Sequence, residues 1–254
     1  MKYLTRKEGI LPDYIKVREL IQRISEKRFR MGGIYGYLIA GRASEIVTKA
    51  FPSDEGTTPY GPQGKDYSIM HHQEEGGRRY EVLVLHIKTS KRGGLPRDVG
   101  IPLDKELEPF AGEIYEYFQS FDPSDPVFYY TRQQLYEGTR EVFDGYIYPI
   151  EPYTIRKIDQ PRFTEIKNKV PQELRSLIKP PKDIVYERKI PRHYRKLALH
   201  GSMRHYRTME LAQRHGLNKE ERDIYTGHTT SGVDDRYSHL NWRLYFPKLL
   251  IPYL

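Results

Sequence analysis

Apolar residues recur at helical spacing between Tyr14 and Arg30, where Ile15, Val17, Leu20, Ile21 and Ile24 sit among charges, and the pattern predicts an amphipathic helix. A second apolar segment runs from Ile34 to Ile39, and a further helix is expected over 43–50, after Gly41. Residues 51–65 are rich in Gly, Pro, Ser and Thr and read as a loop. The period then shortens to two. Segments 67–72, 80–88 and 97–103, separated by Glu74-Glu75-Gly76-Gly77 and by a Lys-Arg-Gly-Gly-Leu-Pro run, predict a small three-stranded antiparallel sheet.

Helices are expected at 104–121, at 131–143 and within 161–177, before Lys179-Pro180-Pro181-Lys182 interrupts the pattern. Two more, at 194–215 and 219–225, meet at Gly216, and a short helix over 234–244 leads into an apolar tail, 245–254. No internal repeat, low-complexity segment or composition shift marks a boundary, so the chain reads as a single domain over 1–254. The expected class is α+β, mainly helical with one small antiparallel sheet.

Charge narrows the partners. The chain has 42 Lys and Arg against 34 Asp and Glu, a net charge of +8 that favours a polyanion. From Ile166 to Arg207, twelve basic residues face three acidic ones, a local surplus larger than that of the whole chain. Such a stretch is either a solvated basic face or a DNA-contacting one. Cysteine is absent, which removes disulfides, thiolate nucleophiles and Cys-based zinc sites together and fits a reducing or a hot cytosol. With a polar N-terminus and no apolar run of membrane-spanning length, a cytoplasmic protein is expected.

Metal-free phosphodiester cleavage needs a nucleophile, cations around the non-bridging oxygens and a general acid for the leaving oxygen. Arginine suits the cation role because its planar fork binds phosphate bidentately. Near the C-terminus, Thr226-Gly227-His228 is followed nine residues after the histidine by Tyr237, within Arg236-Tyr237-Ser238-His239. Upstream lie Gly41-Arg42-Ala43-Ser44-Glu45, the turn Ile87-Lys88-Thr89-Ser90-Lys91, and His200-Gly201-Ser202-Met203-Arg204-His205.

In that order, these runs resemble the boxes of the tyrosine recombinase, or phage integrase, family, and the resemblance covers about four-fifths of the chain, Arg42 to His239. It implies a tyrosine-recombinase catalytic domain of the kind that archaeal viruses or plasmids encode, and an enzyme of site-specific recombination or integration on double-stranded DNA. Arg42, Arg204 and His228 would hold the scissile phosphate while Tyr237 attacks it, leaving a 3′-phosphotyrosine. Lys88 would protonate the leaving 5′-oxygen, with Lys91 as the alternative, and His200 would assist as acid or base. His200 stands one residue further from Arg204 than the family's spacing, and Arg207 is a second candidate for the role of Arg204.

The resemblance further implies no cofactor, metal or ATP, no small-molecule substrate, no membrane, and a homotetramer assembled on DNA. The family's N-terminal core-binding domain is expected to be absent, with about forty residues before Arg42. The apolar residues Trp242, Leu244, Tyr245, Phe246, Leu249 and Leu250, within the tail segment 241–254, would either dock on a neighbouring protomer or cover this domain's own core. Two other readings stay open: a type IB topoisomerase-like enzyme sharing the chemistry, and a catalytically impaired relative that only binds DNA.

Overall fold

A computed structural model describes residues 12–53, 56–74, 76–88, 96–143, 147–149, 168–169, 171–177, 194–196, 199–227 and 242–252. The chain divides into two compact units, one of Met1–Ile10 with Ile147–Lys196 and the other of Leu11–Tyr146 with Leu197–Leu254. In the first, short strands Ile147–Pro149 and Tyr194–Lys196 pair antiparallel, and a 3-10 helix covers Gln172–Leu177. All described candidate residues belong to the second unit, a mixture of helices and antiparallel sheet. No helix among the described residues is long and apolar enough to cross a membrane.

Helix α1 (Tyr14–Gln22) is capped by Asp13, whose side chain accepts from the Lys16 amide at 2.7 Å. It buries Val17, Leu20 and Ile21. The single helix expected over 14–30 is in fact two, because the chain turns at Arg23–Glu26 and restarts as α2 (Lys27–Leu38). Helix α2 is buried from Met31 to Leu38 and runs through the core, so its sequence lacks a polar stripe. Its glycines permit close packing: a Cβ at Gly36 would stand 2.4 Å from the Ile46 Cδ1. After α2 the chain bends through Ala40, at φ 47, a left-handed conformation unusual outside glycine.

Helix α3 (Ala43–Ile46) is half the expected length. The β-branched Val47 and Thr48 extend instead, and the Thr48 amide donates to the Phe128 carbonyl at 3.0 Å. Where a loop was expected, β1 (Lys49–Ser53) and β2 (Gly56–Tyr60) form a hairpin. The sheet proper is as the alternation implied: β3 (Tyr67–Gln73), β4 (Arg79–Ile87) and β5 (Arg97–Pro102) are antiparallel, with β4 central and Leu85 opposite both Tyr67 and Val99. Residues 82–85 of β4 are all fully buried, so both faces of the central strand are covered.

Helices α4 (Pro109–Gln119) and α5 (Arg132–Thr139) are shorter than expected, each starting at a side-chain cap, Glu108 and Thr131. The segment expected as a helix over 194–215 begins as the strand Tyr194–Lys196, and only then does α6 (Leu199–Gln213) start. Helix α7 (Lys219–Thr226) follows, with an Asn218–Glu221 capping box and Gly227 at φ 66 closing its end. Of the short helix expected over 234–244, residues 234–241 lie outside the described part; α8 (Trp242–Tyr245) and a 3-10 turn (Phe246–Leu249) follow.

That last segment packs on its own chain. Trp242, Tyr245, Phe246 and Leu249 are at most 1% exposed, and the Tyr245 hydroxyl accepts from the Gly100 amide at 3.2 Å. Gly100 leaves room for the indole, since a Cβ there would be 2.6 Å from Trp242 Cε3. Leu244, by contrast, is 62% exposed.

Candidate functional site

The short helix α3 places Arg42 at its N-cap and Glu45 one turn on, and the Glu45 carboxylate, 2% exposed, becomes a hub. Its Oε2 accepts from the Arg42 amide at 2.8 Å, from Arg97 Nη2 at 3.2 Å and from Arg204 Nη2 at 3.3 Å. Its Oε1 lies 3.8 Å from Arg42 Nη1. The three arginine side chains grade from buried to open, at 7% exposure for Arg97, 19% for Arg204 and 38% for Arg42. One carboxylate thus faces three guanidiniums, and positive charge predominates around it at the end that opens to solvent. Burial, opposed by Glu45 but reinforced by the Arg97 and Arg42 cations, lowers the Arg204 pKa to about 10.

Helix α6 decides between Arg204 and Arg207. Arg207, one turn on, is 1% exposed and binds the carboxylates of Glu210 at 2.6 Å and Glu108 at 3.1 Å and the Tyr225 hydroxyl at 3.2 Å. Arg18 joins both carboxylates, and the Tyr225 hydroxyl donates to the Leu38 carbonyl. This network is a closed, paired part of the core. The burial that would raise the Glu108 pKa is outweighed by Arg18 and Arg207, which hold it down to about 2. Arg204 therefore keeps the candidate role, with Met203 beside it buried in the core. The backbone of His200 lies in the first turn of α6, one helical turn before Arg204, and its side chain lies outside the description.

Lys88 follows the last residue of β4 and does not share the Glu45 carboxylate. Its ammonium lies 2.7 Å from Asp66 Oδ2 and donates to Gln63 Oε1 at 3.0 Å, with the side chain 39% exposed. The Asp66 carbonyl also accepts from the His86 amide at 2.9 Å. His86 Nδ1 is 2.8 Å from Asp98 Oδ1, and that hydrogen bond raises its pKa despite partial burial. The alternative Lys91, together with His228 and Tyr237, lies outside the described residues.

Gly227, the residue before His228, is described, and its left-handed φ explains the glycine. A Cβ there would also stand 2.6 Å from Arg97 Cδ. No sequence motif assigned Arg97 a role. The signal that would have found it is its register: Arg97, Val99 and Ile101 alternate on one side of β5 and all three are buried, so a charge occupies an apolar slot.

The arrangement can hold an oxyanion at Arg42 and Arg204, while the Lys88 ammonium is engaged by Asp66 and Gln63. No protein family, curated protein or solved structure matches this chain.

Proposed function

We propose that the chain is the catalytic domain of a tyrosine recombinase, acting on double-stranded DNA as a homotetramer and exchanging strands through a 3′-phosphotyrosine at Tyr237. The observation that carries the reading is the meeting of Arg42 and Arg204 on Glu45, across 159 residues of sequence between Glu45 and Arg204, with three guanidiniums around one carboxylate. A phosphodiester is an anion that suits such a site, and two guanidiniums, Arg204 partly buried and Arg42 open to solvent, can stabilise charge on the phosphorane's non-bridging oxygens.

In this reading the Tyr237 oxygen attacks phosphorus, its proton passing to His200, while the bond to the 5′-oxygen breaks and that oxygen takes a proton from Lys88. Arg42, Arg204 and His228 hold the non-bridging oxygens throughout. Lys88 must leave Asp66 and Gln63, or share them, to reach the leaving group. The phosphotyrosine conserves the bond, and a 5′-hydroxyl from another strand reverses the step.

The test is a suicide duplex nicked near candidate sites, incubated in EDTA. A denaturation-resistant protein–DNA adduct that maps to Tyr237 and disappears in Tyr237→Phe is expected. Salt-sensitive DNA binding without an adduct on any substrate would replace the enzyme with a DNA-binding relative.

A further inference from the structure

We infer that Arg97 is a positioning residue of this site, fixing two backbone corners, the one before Arg42 and the one at Gly227, which precedes His228 in sequence. The functional consequence rests on the phosphodiester reading; the geometry stands without it. Arg97 begins β5, and its guanidinium donates to three segments at once: to the Ile39 carbonyl at 3.1 and 3.3 Å, to the Tyr225 carbonyl at 3.3 Å, and to Glu45 Oε2 at 3.2 Å.

Ile39 is the C-cap of α2, and Tyr225 lies in the last turn of α7. Carbonyls at helix C-termini have no intrahelical donor and carry the negative end of the helix dipole, so a buried cation between two such ends satisfies both. Each end leads directly into a candidate functional residue. After Ile39 the chain turns through Ala40, at φ 47, and Gly41 into Arg42; after Tyr225 it passes Thr226 to Gly227, at φ 66, the residue before His228 in sequence.

The Arg97 stem also forms the floor under Gly227, where a Cβ would be 2.6 Å from its Cδ and 2.8 Å from its Nε. At 7% exposure, with both terminal nitrogens engaged, Arg97 acts through these partners and not on the substrate. Its planar fork is what spans three acceptors; a lysine carries the same charge on a single nitrogen and cannot reproduce that geometry. Arg97 thereby ties the first box, the sheet and the helix before the last box into one frame.

The experiment compares wild type, Arg97→Lys, Arg97→Gln, Glu45→Gln and the Arg97→Gln/Glu45→Gln double variant, each checked for a cooperative thermal transition. DNA affinity and the single-turnover cleavage rate at saturating suicide duplex are measured separately. Affinity within about threefold of wild type and a cleavage rate lower by about 100-fold are expected, the scale of a one-ångström misplacement. Arg97→Lys should do no better than Arg97→Gln, and the double variant should lose no more than the worse single one.

Full cleavage by Arg97→Lys, losses that multiply in the double variant, or parallel losses of affinity and rate would overturn the inference. Should Arg97→Gln not fold, Arg97→Lys carries the same comparison. Amide exchange provides a readout independent of DNA chemistry, at the Arg42 amide that donates to Glu45 and the Gly227 amide that donates to Ile224. Both should exchange at least about tenfold faster in the Arg97 variants while the core stays protected. Unchanged exchange would overturn the inference whatever the DNA assay shows, whereas a wild type without an adduct but with this exchange pattern would sink only the recombinase reading.

Discussion

Lys88, Arg204 and Arg207 show how differently three cations of one chain are used. Lys88 is half-exposed and held by Asp66 and Gln63, a geometry that keeps its ammonium open to solvent and free to exchange partners in the proposed reaction. Lys88→Ala is expected to slow cleavage by roughly 10²–10⁴-fold, as loss of a general acid does. A substrate with sulfur in place of the bridging 5′-oxygen should recover most of that loss, because a thiolate leaves without a proton; equal losses on both substrates would remove Lys88 from the acid role. Arg204→Ala should leave the melting transition nearly intact and abolish the adduct. Arg207→Ala should instead cost about 3–5 kcal/mol of stability, by removing one of the two guanidiniums that balance the buried carboxylates of Glu108 and Glu210, which denaturant titration would measure.

Among the elements, α6 and the 3-10 turn at Phe246–Leu249 are joined through His215, whose Nδ1 lies 3.1 Å from the Lys248 carbonyl. Burial first, then the Arg207 and Arg214 cations, push its pKa down to about 3. A histidine whose folded pKa lies below its unfolded value stabilises the fold above the unfolded pKa, near 6.5. That contribution is lost as pH falls from about 6.5 towards about 3. Unfolding free energy should therefore decline over this window, and His215→Asn should reduce the slope by one proton between pH about 6 and 4. An unchanged slope would show that His215 does not titrate differently on folding.

The elements also differ in how openly they were written in the sequence. Strands β3–β5 were legible because alternation and Gly-rich turns coincide there. The β1–β2 hairpin was not, since Phe51-Pro52-Ser53 and Gly56-Thr57-Thr58-Pro59 have loop composition and only pairing makes them strands. Helices α1 and α2 merged into one expected helix because the Arg23–Glu26 turn carries no Gly or Pro to mark it. Box order brought out Arg42 and Arg204, which do share a carboxylate, but a carboxylate hub built from α3, a strand and a late helix has no local signature. Arg97 could be seen only as a charge in an apolar register.

Over the whole molecule, charge is distributed unevenly between the two compact units. Met1–Ile10 and Ile147–Lys196 contain 16 Lys and Arg against 7 Asp and Glu, a surplus of nine, one more than the net charge of the entire chain. The unit that holds the arginine hub is thus close to neutral with the hub included, at 26 Lys and Arg against 27 Asp and Glu. If DNA is the partner, affinity and chemistry are carried by different parts of the chain. Lys167→Gln with Lys169→Gln should flatten the dependence of log affinity on log salt by up to about 0.9 for each phosphate no longer neutralised, with the single-turnover cleavage rate at saturation unchanged. A fall in that rate with an unaltered salt slope would contradict the division.

The seating of Trp242 over Gly100 bears on how Tyr237 can be delivered. Tyr237 is five residues from that anchor, and a chain of five residues reaches at most about 18 Å. While the indole stays in its slot, the Cα of the proposed nucleophile cannot lie further from it than that, a local concentration on the order of tens of millimolar. Handing it to another copy of the chain beyond that reach would require the only tryptophan of the protein to come out of the core first.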